Sequence, residues 1–302
     1  MKSHCLPVFV RHGRRRGSLL RSIAASGLVC LLASWANATP VPILQYSFDE
    51  ASSGTTPAFN AGSLGSTADL TVFNGGATRT TNTPFASSVA ALSVTGPGAE
   101  SDATSASTVV PGTDNLPGLT VTAWINVQAD PAAFARILDV GNHYGLLLNS
   151  GSASAFTLDL FNNLGADFPS TATANADHQW LFVAGSFDPA SHTITYYTGN
   201  AVTAITQLGA PVADSFSNTG TGANPLLGIN PLGGISVGAK PSSTLRTLDG
   251  YIDDVAAYGT PLSLSQIDAI RAANVTPAPE PASAGLLLVG LVGMWWFARR
   301  KG

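Results

Sequence analysis

The segment that decides the fold reads Leu119-Thr120-Val121-Thr122-Ala123-Trp124-Ile125-Asn126-Val127. Successive side chains of an extended strand point to opposite faces, so Val121, Ala123 and Ile125 share one face and Trp124 lies on the other. β-branched and aromatic residues, which are typical of strands, dominate the segment. It therefore predicts a long β-strand.

Further strands are predicted on both sides of this segment. They run from Pro42 to Asp49, Asp69 to Phe73, Ile137 to Val140, Tyr144 to Leu148, Phe156 to Phe161, Gly234 to Gly238 and Leu248 to Tyr258. The strongest hairpin signal joins His178–Phe187 to His192–Tyr197 through the turn residues Asp188 and Pro189. Short strands separated by turn signals predict an all-β fold, an antiparallel β-sandwich.

One short helix is predicted after the last strand, from Ser263 to Arg271. Ser263 and Gln266 have the spacing of a capping box, in which each side chain satisfies a free backbone N–H group of the first turn. Leu264, Ile267 and Ile270 recur every three residues, so we expect one apolar stripe to lie on the sandwich.

The N-terminal segment has the anatomy of a secretory signal peptide. Residues 1–38 carry Lys2 and several arginines but no acidic residue, then an apolar stretch from Ile23 to Trp35 and the small-residue sequence Ala36-Asn37-Ala38. We expect export and cleavage after Ala38. Cys5 and Cys30, the two cysteines of the chain, would leave with this segment, so the exported protein would contain no disulfide.

The C-terminal segment, residues 277–302, predicts a membrane helix. An apolar run from Ala282 to Ala298 is followed by Arg299-Arg300-Lys301. A run of this length can cross the hydrocarbon core of a bilayer, and the basic cluster after it predicts a cytoplasmic C-terminus.

Together with the preceding Pro279-Glu280-Pro281, this helix and basic stop resemble the PEP-CTERM sorting tail of Gram-negative bacteria. The resemblance implies that an exosortase-type membrane enzyme removes the helix near the motif, and that the cargo joins the cell surface or its exopolysaccharide. An ordinary single-helix anchor is the alternative. Mass spectrometry of surface-extracted protein separates the two, since an intact peptide containing Trp295-Trp296 would indicate a permanent anchor.

The segment between these ends, residues 39–276, is poor in charge. Charged residues make up 11% of the chain, against about 25% in typical globular proteins. Lys240 is the only lysine in this segment, and the chain is acidic overall, with a formal net charge of −4. Binding to nucleic acid or anionic lipid through charge is therefore not expected.

The order of these strand segments resembles the LamG-like, concanavalin A-like jelly-roll family. The matching pieces are Leu44–Glu50, Leu119–Ile125, Gln179–Ala184 continuing through Asp188 to Tyr197, and Leu248–Val255 with Tyr258, Leu262 and Ser263. The resemblance implies a jelly-roll β-sandwich across nearly all of residues 39–276. Thr198-Gly199-Asn200 departs from the Asn-Gly turn that is common in the family.

Catalytic patterns are missing from the sequence. Glycoside hydrolysis requires two carboxylates that face one bond, but Glu50 and Glu100 are the only glutamates of the domain and no strand carries an alternating pair of acids. Asp159 stands alone on its strand. His143, His178 and His192 are expected in turns or at strand ends, and no Cys or His cluster has the spacing of a zinc site. We therefore expect no catalytic residues and no enzyme activity.

Sugar binding would require accessible aromatic rings with polar groups around them. Trp124 and Trp180 match core positions of the family, so packing is the favoured interpretation for both. Tyr144, beside Asn142 and His143 in an expected turn, is the better surface candidate.

The resemblance also implies a structural Ca²⁺ near the paired ends of the domain, where Asp49, Asp253 and Asp254 are the candidate ligands. An unchanged melting temperature with chelator and with excess Ca²⁺ would reject it. No other cofactor is predicted.

The favoured reading is a noncatalytic surface or extracellular-matrix protein that acts by binding or adhesion. Its expected partners are the exosortase-type enzyme, exopolysaccharide or matrix proteins, and the membrane before processing. Two alternatives remain open: a glycan-active enzyme, which release of reducing sugar would identify, and a purely structural matrix protein, which pull-downs with a negative glycan array would identify.

Overall fold

The computed structural model describes residues 40–94, 101–106, 110–113, 116–141, 144–162, 167–213, 234–241, 243 and 245–275. The predicted signal peptide with its cleavage site at Ala38, and the predicted tail with Pro279, Glu280 and Pro281, lie outside these residues. No helix in the described part of the chain is both long enough and apolar enough to cross a membrane.

The described residues form two antiparallel sheets. In chain order the strands are β1 (Leu44–Tyr46), β2 (Leu70–Asn74), β3 (Thr78–Thr80), β4 (Ala91–Val94), β5 (Asp102–Ser105), β6 (Leu119–Val127), β7 (Ala135–Val140), β8 (Tyr144–Ser152), β9 (Ala155–Asn162), β10 (Leu181–Asp188), β11 (Thr193–Gly199), β12 (Thr206–Gln207), β13 (Val212–Ala213), β14 (Ile235–Val237) and β15 (Gly250–Tyr258). A 3-10 turn spans Gly65–Ala68, and the helix α1 spans Leu264–Val275.

The larger sheet has the order β12-β11-β10-β6-β15-β4-β3, with β1 paired to β15 and β13 paired to β11. The smaller sheet has the order β2-β5-β14-β7-β8-β9. Strands distant in sequence are neighbours in both sheets, which is typical of a jelly roll. The predicted all-β sandwich of antiparallel sheets is confirmed.

The main core lies between the sheets. It contains the aliphatic side chains of one face of β6 (Val121, Ala123, Ile125) and residues on the inward face of the smaller sheet, including Ile137, Leu146 and Leu158. Because the side chains of one strand alternate, the opposite face of β6 points away from this core. The prediction that Trp124 and Val121 lie on opposite faces of β6 is confirmed.

Helix α1 covers part of the outer face of the larger sheet. Ile267 and Ile270 pack there with Trp124, Phe182 and other apolar residues in a second core. The Oγ of Ser263 accepts a hydrogen bond from the Gln266 backbone N–H at 3.4 Å, and Gln266 Oε1 accepts one from the Ser263 N–H at 2.9 Å, as the capping box predicts. The predicted stripe is wrong at Leu264, which is 46% exposed. A helix has 3.6 residues per turn, so positions three apart drift around its surface, and Leu264 lies at the border of the face that Ile267, Ile270 and Arg271 bury.

Candidate functional site

An aromatic and polar row crosses the outer face of the larger sheet beside the second core, against which the partly buried Trp180 packs, as its predicted packing role requires. Asn126 on β6 is opposite Tyr251 on β15, and Tyr251 is opposite Ser93 on β4. Trp180 immediately precedes Leu181, which pairs with Ile125 next to Asn126. The register of the strands therefore brings Trp180, Asn126, Tyr251 and Ser93 side by side. We call these four residues the outer row.

The two rings of the outer row are partly exposed, and their centroids lie 6.3 Å apart with planes tilted by 34°. The indole N–H of Trp180 donates to Asn82 Oδ1 at 3.3 Å. Gln128 Nε2 donates to Asn126 Oδ1 at 2.5 Å, so side-chain amides border the rings. Flat apolar rings bordered by amides can stack on the C–H face of a sugar while the amides contact its hydroxyl groups.

The smaller sheet has a different outer face, which carries buried charges. Arg136 on β7 is opposite Leu147 on β8, and Leu147 is opposite Asp159 on β9. Arg136 Nε donates to Asp139 Oδ2 at 3.2 Å. Asp159 accepts hydrogen bonds from the backbone N–H of Phe168 at 2.8 Å and from Asn149 Nδ2 at 3.1 Å. Arg136 is 4% exposed and both acids are 0% exposed, which makes this a buried polar cluster.

Burial raises the pKa of Asp159 to about 7, since a buried carboxylate loses hydration when it ionises. The hydrogen bond from Phe168 opposes this shift by stabilising the charged form. No sequence pattern indicated this cluster beyond the single charged residues Arg136, Asp139 and Asp159 in otherwise apolar strands.

We expect the raised pKa of Asp159 to make the protein less stable as pH rises from about 4 to about 7. The folded state holds a proton in this window that the unfolded state has released, so the free energy of unfolding falls by up to about 4 kcal/mol from this residue. Asp159→Asn should remove this contribution, so its free energy of unfolding from urea melts should change less across the window than that of the wild type. Equal slopes for Asp159→Asn and wild type would contradict the prediction.

The three predicted calcium ligands are close together in the structure. The Oδ1 of Asp49 accepts hydrogen bonds from the backbone N–H groups of Val89 at 2.6 Å and Ala90 at 3.1 Å. The hydroxyl of Ser88 lies 3.3 Å from Asp49 Oδ1 and 2.7 Å from Asp253 Oδ2, and so links the two acids. Burial, followed by the charge of Asp254, raises the pKa of Asp253. Burial likewise raises the pKa of Asp254 to about 6.

This arrangement is not by itself a metal site. Within the described ranges, no group of three or more His, Cys, Asp or Glu side chains is arranged to hold a metal ion. Backbone N–H groups already occupy an oxygen of Asp49 and one of Asp253. The calcium assignment to Asp49, Asp253 and Asp254 stays a prediction.

The structure corrects the expectation for Tyr144. Its side chain is 2% exposed and packs in the main core, with its hydroxyl donating to the backbone carbonyl of Thr113. Tyr144 begins β8, and the alternation of the strand points it between the sheets. Trp124 is 0% exposed, as its core assignment predicts. His178 and His192 lie in turns, as predicted, each with a φ of 52°, and His143 is outside the described residues.

A sequence model described as the concanavalin A-like lectin/glucanases superfamily matches residues 97–268. A comparison with curated proteins found no match.

Several solved structures are similar to parts of this chain. The binding domain of Paraclostridial Mosquitocidal Protein 1 superposes with a TM-score of 0.51 at 10% identity, covering 76% of this chain and 52% of that one. Domain 4 of AbnA, an extracellular GH43 arabinanase of Geobacillus stearothermophilus in complex with arabinotriose, has a TM-score of 0.49 at 15% identity, covering 78% and 100%. The SAP-like pentraxin of Limulus polyphemus has a TM-score of 0.40 at 13% identity, covering 55% and 73%. At these identities the similarity concerns the fold alone.

Proposed function

Since the chain belongs to the concanavalin A-like lectin/glucanase superfamily, we propose that it is an exported, noncatalytic carbohydrate-binding protein of the cell surface or extracellular matrix. The outer row is its saccharide-binding face. The observation that carries the proposal is the pair of partly exposed rings, Trp180 and Tyr251, beside the amides of Asn82, Asn126 and Gln128.

The chemistry of the outer row favours a neutral sugar face over an ionic ligand. Ser93 and Gln128 are partly exposed and offer both donors and acceptors, which match the hydroxyl groups of a saccharide. Asn126 is 4% exposed and positions the Gln128 amide through their hydrogen bond. Each domain would bind weakly, since two rings stack over a small area. Many copies fixed on one surface would raise the overall strength of binding without new contacts.

The route to the surface rests on the two ends of the sequence. The signal peptide would direct export, and an exosortase-type enzyme of a Gram-negative bacterium would remove the tail at Pro279-Glu280-Pro281. The membrane helix 282–298 would hold the precursor in the inner membrane before that step.

Deleting the tail should release the protein into the medium and weaken its retention in the matrix.

The test of the saccharide site is a pair of substitutions, Trp180→Ala and Tyr251→Ala. Ring stacking contributes about 1–1.5 kcal/mol, so each variant should bind a polysaccharide retained by the wild type about fivefold to tenfold more weakly. Affinity electrophoresis against a panel of neutral polysaccharides measures this change.

Phe59→Ala is the matched control, because Phe59 is an exposed aromatic residue outside the outer row. Its retardation on the same gels should equal that of the wild type. If both outer-row variants migrate like the wild type on a polysaccharide that retards it, the outer row is not the site.

The buried acids favour a second candidate, a glycan-active enzyme. Asp139 and Asp159 belong to the same outer face of the smaller sheet, and a pKa of about 7 suits a general acid at neutral pH. Their complete burial and the hydrogen bonds on Asp159 favour a structural role instead. Glycan turnover that Asp159→Asn abolishes, in a protein that still folds, would establish the enzyme.

A further inference from the structure

An unusual feature of the buried polar cluster is an unpartnered donor on Arg136. In the described part of the chain, the Nη1 of Arg136 is a buried atom without a hydrogen-bond partner. Its Nε is bound to Asp139, and its Cζ lies 3.6 Å above the centroid of the Phe161 ring. Buried guanidinium donors are normally satisfied, so this nitrogen points to an absent acceptor.

Two further cations, Lys240 and Arg246, lie near Arg136. Both belong to the segment that connects β14 to β15. The backbone N–H of Arg136 donates to the Arg246 carbonyl at 3.1 Å, which fixes Arg246 beside it. The guanidinium of Arg246 lies 5.3 Å from the Phe134 ring centroid. Lys240 and Arg246 are both partly exposed, and neither has an ion pair with a described residue.

These cations repel one another electrostatically. Burial, and then the charges of Arg246 and Arg136, lower the pKa of Lys240. The pKa of Arg136 is also lowered, chiefly by burial, while Asp139 acts in the opposite direction. A bound anion would relieve the repulsion and accept the free N–H of Arg136. In an acidic chain with few cations, three of them meeting at one place is a specific arrangement.

We propose that Arg136, Lys240 and Arg246 form a binding site for the carboxylate of an acidic saccharide. A planar guanidinium matches the geometry of a carboxylate through two parallel hydrogen bonds. Lys240 and Arg246, being partly exposed, would receive the ligand from solvent, and Arg136 would bind it from below. The anion site rests on these side chains alone, and its saccharide part rests on the proposed function.

The net negative charge of the chain argues against binding of acidic ligands in general, but a local cluster of cations can still bind one. An overall acidic domain is repelled from acidic polysaccharide at long range, but contacts within about 8 Å depend on local charges at physiological salt. A local cationic site can therefore bind one uronic acid unit of an otherwise neutral or mixed chain.

The test uses the purified protein and trigalacturonate, with galactotriose as the neutral probe of equal length, in calorimetric titrations. Lys240→Gln and Arg246→Gln should each weaken trigalacturonate binding about tenfold, since each removes a charge-assisted contact. Neither should change the binding of galactotriose. Lys240→Arg keeps the charge and should restore most of the affinity, and added NaCl should weaken trigalacturonate binding in the wild type. Both positions are partly exposed, so these variants avoid the folding risk of changing Arg136.

Trp180→Ala separates this inference from the proposed saccharide site. If the two glutamine variants bind trigalacturonate as the wild type does, or if the wild type does not bind it, the anion site is overturned whatever happens to galactotriose. If inorganic sulfate competes as well as free galacturonate, the assignment to a carboxylate is overturned. Loss of neutral-sugar binding in Trp180→Ala, with trigalacturonate binding intact, supports both sites as separate.

Discussion

Replacing Arg79 with alanine is expected to lower the free energy of unfolding by about 3 kcal/mol, because it leaves one buried and two partly buried backbone carbonyls and the carboxylate of Glu50 without their donor. Arg79 on β3 is 3% exposed. Its Nε donates to the Phe48 carbonyl at 2.7 Å, its Nη1 donates to the Thr56 carbonyl, and its Nη2 donates to Pro57 at 3.1 Å and to Glu50 at 2.8 Å. One guanidinium thus joins the segment after β1 to the edge of the larger sheet. Urea denaturation followed by circular dichroism measures the loss.

Glu50→Gln is the control that separates the ion pair from the backbone contacts. The side chain of Glu50 is 17% exposed; its Oε2 accepts from Arg79 and its Oε1 accepts from the backbone N–H of Phe59 at 2.6 Å. Glutamine keeps one acceptor oxygen and replaces the other with a donor, so we expect a loss of about 1–2 kcal/mol, from the ion pair and one of these two hydrogen bonds. Equal losses for Glu50→Gln and Arg79→Ala would show that the charge pair, and not the binding of the carbonyls, stabilises this segment.

Trp124→Ala is expected to cost about 3–5 kcal/mol, as truncation of a large buried aromatic residue leaves a cavity. The indole packs edge-to-face against Phe85 at 5.6 Å and against Phe182 at 5.4 Å between ring centroids. It also connects the larger sheet to the second core under α1. The free energy of unfolding from urea melts checks the loss.

Trp124→Phe should cost much less than Trp124→Ala. The indole Nε1 is buried without a hydrogen-bond partner among the described residues, and phenylalanine removes that unsatisfied donor while keeping an aromatic ring. Trp180→Ala should cost little stability, because Trp180 is only partly buried. A large loss in Trp180→Ala would contradict its assignment as a surface ring and would weaken the binding test.

Much of the fold could be predicted from the sequence, since local patterns carry it. The limits of β6 agree with the prediction at both ends, and alternation alone assigned Trp124 and Ile125 to opposite faces. The capping residues Ser263 and Gln266 fixed the start of the helix because their hydrogen bonds are local. The short strands β3, β4, β5, β12 and β13 were not predicted, as two to four residues give too few repeats for a pattern.

The candidate sites depend on pairings that no local pattern contains. Trp180, Asn126, Tyr251 and Ser93 are far apart in the chain, and they form one row only because β10, β6, β15 and β4 are neighbours in register. Tyr144 was misassigned for the same reason, since its burial depends on which face of β8 meets the other sheet. The sequence by itself determined the strands, the helix cap and the scarcity of charge, because these follow from side-chain chemistry and local periodicity. Only the tertiary structure decided which tryptophan is accessible and that the segment after β14 passes beside Arg136, because strand pairing and the path of that segment bring together residues that are far apart in the chain.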